Sequence, residues 1–173
     1  MSPHDTVARE TELRWYAIHT RSHQEKQVRD RLLAGGIEPF LPLSRVQRQW
    51  SDRKVWARSP LFRGYCFARF TLGNSLAILK TAGVARIVGI LKPEPIQDEE
   101  IAVLQRVTAA DCMTEPYDDC TEGMCVEVIR GPLAGLRGQF VRKEGHQGLV
   151  IRASLIQQAA LIHIGASEVV PAK

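Results

Sequence analysis

Apolar and polar positions alternate with helical and strand periods over the first two-thirds of the chain. The run WYAI at residues 15–18 predicts a β-strand, because aromatic and branched side chains favour a pleated surface. Apolar residues then recur at helical spacing at Val28, Leu32 and Leu33. Residues 22–25, SHQE, form a capping-box sequence in which the glutamate reaches back to the cap, and Gly35-Gly36 supplies a stop. A strand followed by a helix is therefore predicted.

The segment from residue 37 to residue 107 carries further strand and helix signals. Residues 37–46 are extended but hold two prolines, which confines them to an edge or an irregular strand. Residues 47–58 are polar and basic, and favour a hairpin or a mobile loop. The strongest strand signal is PLFRGYCFARF at residues 60–70. A short helix is predicted over 75–82, a strand over 84–90, and a helix from Asp98 that carries Ile101, Leu104 and Val107.

The order of these elements predicts two domains. The first is α/β in content, an α+β sandwich with helices on a small, mainly antiparallel sheet, over residues 14–110. Residues 123–173 change to short strands and glycine turns, which predicts a small all-β barrel. Between them DCMTEPYDDCTE at 111–122 has no periodicity and predicts an acidic linker, and residues 1–13 form a polar tail.

Charge is segregated along the chain, although the formal net charge is only +4. Residues 45–69 hold seven Lys or Arg against Asp52 alone, and residues 70–93 add three basic residues and no acid. Residues 94–122 hold nine acids against Arg106 alone. The basic block predicts a surface that faces a polyanion, and Trp50 and Trp56 within it favour that over a solvated hairpin.

Several classes of function have no residues to support them. The four cysteines lack paired CxxC spacings, so no metal is expected. No GK[ST] follows the glycines at 131, 135 and 138, and neither a GxSxG elbow nor an HExxH pair occurs, so neither catalysis nor a cofactor is expected. The longest apolar stretch, 149–164, is interrupted by polar residues and no secretory signal is visible, so we expect a cytoplasmic protein with reduced thiols and without membrane contact.

Two parts of the sequence resemble a known family. WYAIHT, RSHQEKQVRDRLLAGGI, PLFRGYCFARF, GVARIVGI and PIQDEEI, between residues 15 and 107, resemble the N-terminal domain of the NusG/RfaH family of transcription elongation factors. GMCVEVIRGPLAGLRGQFV at residues 123–141 resembles the KOW motif of that family, with its turn at Gly131, Pro132 and Gly138. The specialised RfaH-like paralogs are the closer comparison. The second domain is thereby expected to be a KOW domain with an SH3-like barrel.

The resemblance implies a monomeric transcription elongation or antitermination factor that is not an enzyme. Such factors bind the clamp helices of RNA polymerase through the N-terminal domain and suppress pausing or termination. The residues implied to meet polymerase are Tyr16, Ile18, Phe62, Tyr65 and Phe67. The residues expected at nucleic acid, including non-template DNA, are Arg21, Gln24 and Arg31 by resemblance and Arg48, Arg53 and Lys54 from the basic block.

Some alternatives stay open at this stage. Residues 61–69 place a mixed aromatic and basic set on one strand phase, but Phe62 and Phe67 could equally fill the core. Residues 155–158, LIQQ, occupy the place of the hydrophobic-Gly-Arg turn of typical members, which belongs to the surface that recruits Rho or a ribosomal protein in NusG. Whether the KOW domain binds either partner therefore stays open. A second function remains possible, a ribosome-associated RNA-binding protein with a KOW module.

Overall fold

A computed structural model describes residues 11–50, 52–89, 91–117, 123–143 and 146–172. Residues 1–10 of the predicted tail and 118–122 of the predicted linker lie outside the described residues. The described helices are α1 (Glu25–Ala34), α2 (Ser75–Lys80) and α3 (Asp98–Ala109).

The described strands form three groups. The N-terminal sheet contains β1 (Arg14–Thr20), β2 (Glu38–Phe40), β5 (Tyr65–Phe70), β6 (Val84–Ile87) and β7 (Pro95–Ile96). A separate hairpin contains β3 (Leu43–Trp50) and β4 (Arg53–Pro60). The C-terminal sheet contains β8 (Thr114–Tyr117), β9 (Met124–Val128), β10 (Arg137–Lys143), β11 (His146–Ala153), β12 (Gln158–His163) and β13 (Val169–Pro171).

The N-terminal sheet is antiparallel, with the order β2-β5-β1-β6 and β7 also paired to β1. The short strand β2, which contains Pro39, lies at its edge, as expected for a residue that cannot donate to the ladder. The core packs Tyr16, Ile18 and Phe70 of the sheet with Val28 and Leu32 of α1. Helices on a small antiparallel sheet, followed by an all-β region, confirm the predicted fold class.

Helix α1 starts later than its capping-box sequence predicts. The residue before it is Gln24, which makes no side-chain capping bond, and His23 adopts a φ of +59°. Glu25 does not reach back toward Ser22, because its carboxylate accepts a hydrogen bond from a different part of the chain, the Gly64 amide. The helix ends as predicted, with Gly36 at a φ of +75°.

The apolar run at residues 60–70 forms one strand only in its second half. Residues 43–60 make a long antiparallel hairpin, and β5 begins at Tyr65. Gly64 lies between them at a φ of +78°, a left-handed conformation that suits glycine and interrupts an extended run. Of the predicted face 61–69, Tyr65, Phe67 and Arg69 therefore share a strand face, and residues 61 and 63 lie outside the strand.

The C-terminal sheet is antiparallel with the order β13-β9-β10-β11-β12-β8. The edge strand β8 falls inside the segment predicted as a linker. It pairs with β12 from Thr114↔Ile162 to Tyr117↔Ala159. Tyr117 is buried and packs with Val141, Val150, Ala159 and Leu161. The lack of periodicity in 111–122 therefore concealed a short strand, which gains its stability from β12 and from one buried aromatic ring.

The chain divides into two compact units that do not follow the predicted boundaries. The first unit is Met1–Leu41 with Arg63–Ile101, and the second is Pro42–Phe62 with Ala102–Lys173. The β3-β4 hairpin is thus grouped with the C-terminal sheet, and the division passes through α3. The boundaries 14–110 and 123–173 stay a prediction.

Candidate functional site

The two faces of the N-terminal sheet carry different kinds of side chain. Strand β1 is paired to β5 in the register Tyr16↔Ala68 and Ala17↔Phe67. Because directly paired residues of an antiparallel sheet point to the same side, alternate residues of each strand reach opposite faces. Tyr16 and Ile18 point to the α1 side and join its core, which we call the helix-packed face.

The opposite face of the sheet carries a row of rings, which we call the aromatic face. Its members are Trp15, His19, Phe40, Tyr65 and Phe67. Trp15 meets Phe40 edge-on with centroids 6.4 Å apart, and Phe40 stacks on Phe67 at 6.2 Å. His19 meets the Tyr65 ring edge-on at 5.2 Å. Trp15 and Phe67 are buried, whereas the other three rings are partly exposed. Offset and edge-on ring pairs of this kind hold an aromatic surface rigid.

The structure brings only part of the predicted polymerase set together. Tyr65 and Phe67 lie on the aromatic face, and Tyr65 keeps part of its ring exposed. Tyr16 and Ile18 are a correction: they are 1% and 0% exposed on the helix-packed face, so they cannot share a surface with Tyr65. Phe62 is also buried, at 1%, and precedes β5. Tyr16 and Ile18 alternate with Trp15 along β1, so their side chains point to the other face of the sheet. There they pack against α1 and form part of the core.

Three members of the aromatic face, Trp15, His19 and Phe40, are not among the residues that the sequence predicts for a partner surface. The signal for two of them was in the strand itself, since Trp15 and His19 are in the phase opposite to Tyr16. Which of the two sets of alternate residues faces Tyr65 depends on the register between β1 and β5, and the sequence of β1 alone does not determine that register. Phe40 comes to this face only through the pairing Phe40↔Phe67 at the sheet edge.

The backbone that leads into Tyr65 is held from two sides. The Gly64 N–H donates to the Glu25 carboxylate at 2.8 Å, and the Gly64 carbonyl accepts from the Thr20 N–H at 2.8 Å. Glu25 is itself buried, with 7% of its surface exposed. A buried carboxylate on a backbone amide is a charge-assisted bond, stronger than a neutral one. The start of β5 is therefore anchored to both α1 and β1.

The three residues that the resemblance places near α1 at nucleic acid all lie against one turn, at residues 82–83. The Arg31 guanidinium donates to the Ala82 carbonyl at 2.6 Å, and the Arg21 N–H donates to the Gly83 carbonyl at 2.8 Å. A Cβ on Gly83 would collide with the side chains of Gln24 and Val28. Arg21 and Arg31 are exposed and Gln24 is partly so. We call Arg21, Gln24 and Arg31 the helix patch.

The other three predicted residues lie on the hairpin. Arg48 is in β3, paired with Val55, while Arg53 and Lys54 begin β4 and are exposed. At the base of the hairpin the Arg45 guanidinium lies 4.8 Å from the centre of the Trp56 ring, a cation–π contact. Arg45 also donates to Asp111 at 3.1 Å. The helix patch and the hairpin fall in different units of the chain.

The predicted KOW turn is the connection between β9 and β10. Gly131 and Gly135 have φ values of +76° and +82°, and the turn is closed by the Gly135 N–H donating to the Val128 carbonyl at 2.7 Å. Pro132 is exposed. Gly138 lies in β10, where an added Cβ would stand 2.8 Å from the Val150 carbonyl oxygen. Gly138 thus permits close strand packing and is not part of the turn itself.

The turn that departs from the family pattern keeps an unusual backbone. Gln157 follows a single 3-10 turn at Ser154–Ile156 and adopts a φ of +53°, in the left-handed region. Glycine is the residue that adopts this conformation without strain. Gln157 therefore adopts a left-handed conformation although it carries a polar side chain.

Two further findings limit the chemistry of the site. Across the described ranges, no three His, Cys, Asp or Glu side chains come together in a way that could hold a metal ion. None of the described helices has the length and apolar character that a membrane crossing requires.

Comparison with known proteins bears on these surfaces. A family model described as "Transcription termination factor nusG" matches residues 13–105, which contain the whole N-terminal sheet. The chain is 30% identical over 140 residues to the "Transcription termination/antitermination protein NusG" of Pseudomonas aeruginosa, covering 72% of this chain and 78% of that protein. It is 25% identical over 182 residues to the protein of the same description in Thermus thermophilus, covering 92% and 99%.

A solved structure agrees at the level of the fold. It is described as "Domain interaction in Thermotoga maritima NusG" and aligns with a TM-score of 0.61 at 19% identity, covering 94% of this chain and 98% of that one. The matched segment, the relatives and the shared fold lead to one conclusion: the chain belongs to the NusG family.

Proposed function

We propose that this protein is a transcription termination/antitermination factor that binds RNA polymerase and acts without catalysis. The observation that carries the proposal is the aromatic face of a NusG-family sheet, with Tyr65 partly exposed on it. Two relatives of the chain carry the description "Transcription termination/antitermination protein NusG". The finer proposal is that Tyr65 docks on the clamp helices of the polymerase and thereby suppresses pausing or termination.

The composition of the aromatic face suits a protein partner. Tyr65, His19 and Phe40 are partly exposed, and the buried Phe67 and Trp15 pack against Phe40 on the same face. Amphipathic aromatic side chains on a rigid base are the groups that most often dominate the free energy of an interface. In this proposal Phe67 supports the contact, whereas Tyr16 and Ile18 hold α1 against the back of the sheet and make no contact with the partner.

Two basic regions would bind nucleic acid beside the polymerase. The helix patch presents Arg21 and Arg31 on the same unit as the aromatic face, and the hairpin presents Arg53 and Lys54. Exposed guanidinium and ammonium groups bind phosphates and release counterions, so this binding weakens steeply with salt. We propose exposed non-template DNA as the ligand of the helix patch.

The C-terminal domain would recruit a further partner, a ribosomal protein or Rho. Its predicted range, 123–173, contains five of the six strands in the C-terminal sheet. The turn at Gln157 is the place where this chain differs from the family pattern, so we propose that the choice of partner is decided there.

The test of polymerase binding is a single substitution on the aromatic face. Tyr65→Ala should weaken binding to purified RNA polymerase by about tenfold or more, because a partly exposed anchor ring is removed while the core is kept. A matched control is Leu79→Ala, which removes an exposed apolar side chain from α2, away from this face. Pull-down affinities and pause lifetimes on one template would be measured for both variants. Unchanged affinity in folded Tyr65→Ala would refute the docking face.

The nucleic-acid proposal has its own test. Arg53→Ala combined with Lys54→Ala should weaken binding of single-stranded DNA and reduce the slope of log affinity against log salt by about one to two. The control is Arg137→Ala, which removes an exposed guanidinium that is paired with Glu127 on the C-terminal sheet. An identical salt slope in the hairpin variant and the control would argue against a DNA contact at the hairpin.

A further inference from the structure

The buried carboxylate of Glu25 has a role that helix capping does not explain. Glu25 is the first residue of α1, yet its carboxylate accepts a hydrogen bond from the Gly64 N–H, which lies 39 residues further along the chain. The Gly64 carbonyl is held at the same time by the Thr20 N–H. Gly64 adopts a φ of +78°, so its conformation is one that the chain adopts readily only at glycine. Both polar groups of this one peptide segment are therefore fixed by neighbouring elements.

The residue that follows this anchor is Tyr65, the partly exposed ring of the aromatic face. Tyr65 is the first residue of β5, so the direction of its Cα–Cβ bond depends on the conformation at Gly64. On its other side the ring is limited by His19, at 5.2 Å. The Tyr65 side chain is thus placed by two constraints: Glu25 acts on its backbone and His19 acts on its ring.

We propose that Glu25 is a positioning residue for polymerase docking, which sets the orientation of Tyr65 through the Gly64 amide. The inference rests on the proposed function of the aromatic face. Without an acceptor of the correct length, the partly buried Gly64 N–H loses its partner and the turn before β5 rearranges to satisfy it. Tyr65 then samples several orientations, and part of the binding free energy is lost in ordering it.

The same bond fixes the spacing between two surfaces of the first unit. Glu25 is flanked in sequence by Gln24 of the helix patch, while Arg21 precedes α1 and Arg31 lies in its last turn. All three residues of the patch lie against the turn at residues 82–83. The Glu25–Gly64 bond therefore ties the helix patch to Tyr65 within one unit. A factor that must meet polymerase and DNA together benefits from a rigid separation between the two contacts.

Two conservative variants separate position from charge. Glu25→Asp keeps the charge but shortens the side chain by one methylene, so the carboxylate no longer reaches Gly64. Glu25→Gln removes the charge but keeps a carbonyl acceptor at the same reach. In the full-length protein, Glu25→Asp should bind RNA polymerase about tenfold more weakly than the unaltered chain. Glu25→Gln should stay within about threefold of the unaltered chain. Glu99→Asp, an exposed glutamate in the first turn of α3, is the matched control.

The readouts distinguish positioning from loss of fold. Thermal unfolding of each variant shows that it is folded, and hydrogen exchange of the Gly64 amide should be fast in Glu25→Asp and slow in Glu25→Gln. In a Tyr65→Ala background, Glu25→Asp should cause no further loss of affinity, because the ring that it places is absent. An equal loss in the Asp and Gln variants, or a full loss added to that of Tyr65→Ala, overturns the positioning role.

The outcome also separates this inference from the proposed function. If Tyr65→Ala weakens polymerase binding and Glu25→Asp does not, the docking face stands and the role of Glu25 fails. If Tyr65→Ala itself leaves binding unchanged, the docking face fails and the role of Glu25 fails with it.

Discussion

The two faces of the N-terminal sheet are built from the same strands but serve different ends. On the helix-packed face, Ile18 and Phe70 are fully buried under α1. On the aromatic face, His19, Phe40 and Tyr65 are partly exposed, whereas Trp15 and Phe67 are buried. A residue moves from one face to the other when the strand phase changes by one position.

In this sheet the type of a side chain does not determine whether it is buried in the core or exposed at the surface. Tyr16 and Tyr65 are both tyrosines, yet their surroundings differ. The Tyr16 ring packs on Phe70 within the core, with ring centroids 4.6 Å apart, whereas the Tyr65 ring packs on His19 at a partly exposed surface. Burial raises the pKa of Tyr16, because ionisation would place a charge in the core. Variants of the two faces should accordingly separate stability from binding.

The largest effect is expected on the helix-packed face. Phe70→Ala should lower the free energy of unfolding by about 3–5 kcal/mol, because a fully buried ring is replaced by a cavity. Urea unfolding followed by circular dichroism would measure this change. A loss below about 1 kcal/mol would mean that this face is not the principal core of the unit.

A second prediction uses Cys66, which pairs with Ile18 on the helix-packed face. Burial raises the pKa of its thiol from 9.0 to about 12. Above pH 9 the unfolded thiol therefore loses its proton first, and stability falls as the pH rises toward the folded value. At about pH 10.5 the loss should be about 2 kcal/mol relative to pH 8. The alkaline loss should be correspondingly smaller in Cys66→Ala, and identical pH profiles would contradict the burial of this thiol.

A smaller effect is expected from the aromatic face. His19→Ala removes the edge-on contact with Tyr65 and should reduce the free energy of unfolding by about 0.5–1.5 kcal/mol. It should also weaken polymerase binding several-fold, since Tyr65 loses its lateral support. Denaturant midpoints and polymerase affinities would be compared with those of Phe70→Ala. A stability loss as large as that of Phe70→Ala would remove the distinction between the faces.

The smallest effect is expected at the edge of the sheet. Glu38→Ala removes an ion pair with Arg69 whose N···O distance is 3.9 Å and whose side chains are 59% and 40% exposed. Exposed pairs of this kind contribute less than about 0.5 kcal/mol. Thermal unfolding at low and high salt should be nearly the same for the variant and the unaltered chain. A larger loss would show that β2 depends on this pair.

The sequence predicted the elements of this sheet better than it predicted their surfaces. Helix α3 starts at Asp98 and buries Ile101, Leu104 and Val107 as expected, since helical periodicity reports the buried side directly. The apolar run of β1 is nearly continuous, so its pattern does not indicate which face of the strand packs against α1. Tyr16 and Ile18 were assigned to the partner surface, and only the register with β5 shows them to be core.

Long-range bonds explain the remaining differences. The capping box at 22–25 is a sound local pattern, but Glu25 is used for Gly64, a residue that local patterns cannot connect to it. Strand β8 is absent from the prediction for the same reason, because its partner β12 lies about 40 residues away and a short strand is stable only when paired. By contrast, Arg21, Gln24 and Arg31 come from one short stretch of chain, and the structure places all three against the turn at residues 82–83.

Strand β8 also bears on how the C-terminal sheet can be studied alone. A fragment that begins at residue 123 lacks Thr114–Tyr117 and leaves the β12 backbone from Gln158 to His163 as an open edge beside an apolar patch. Open, apolar edges pair with further copies and promote aggregation. A fragment that begins at residue 111 carries its own edge strand. Because β8 covers the edge of β12, the longer fragment should aggregate less than the shorter one.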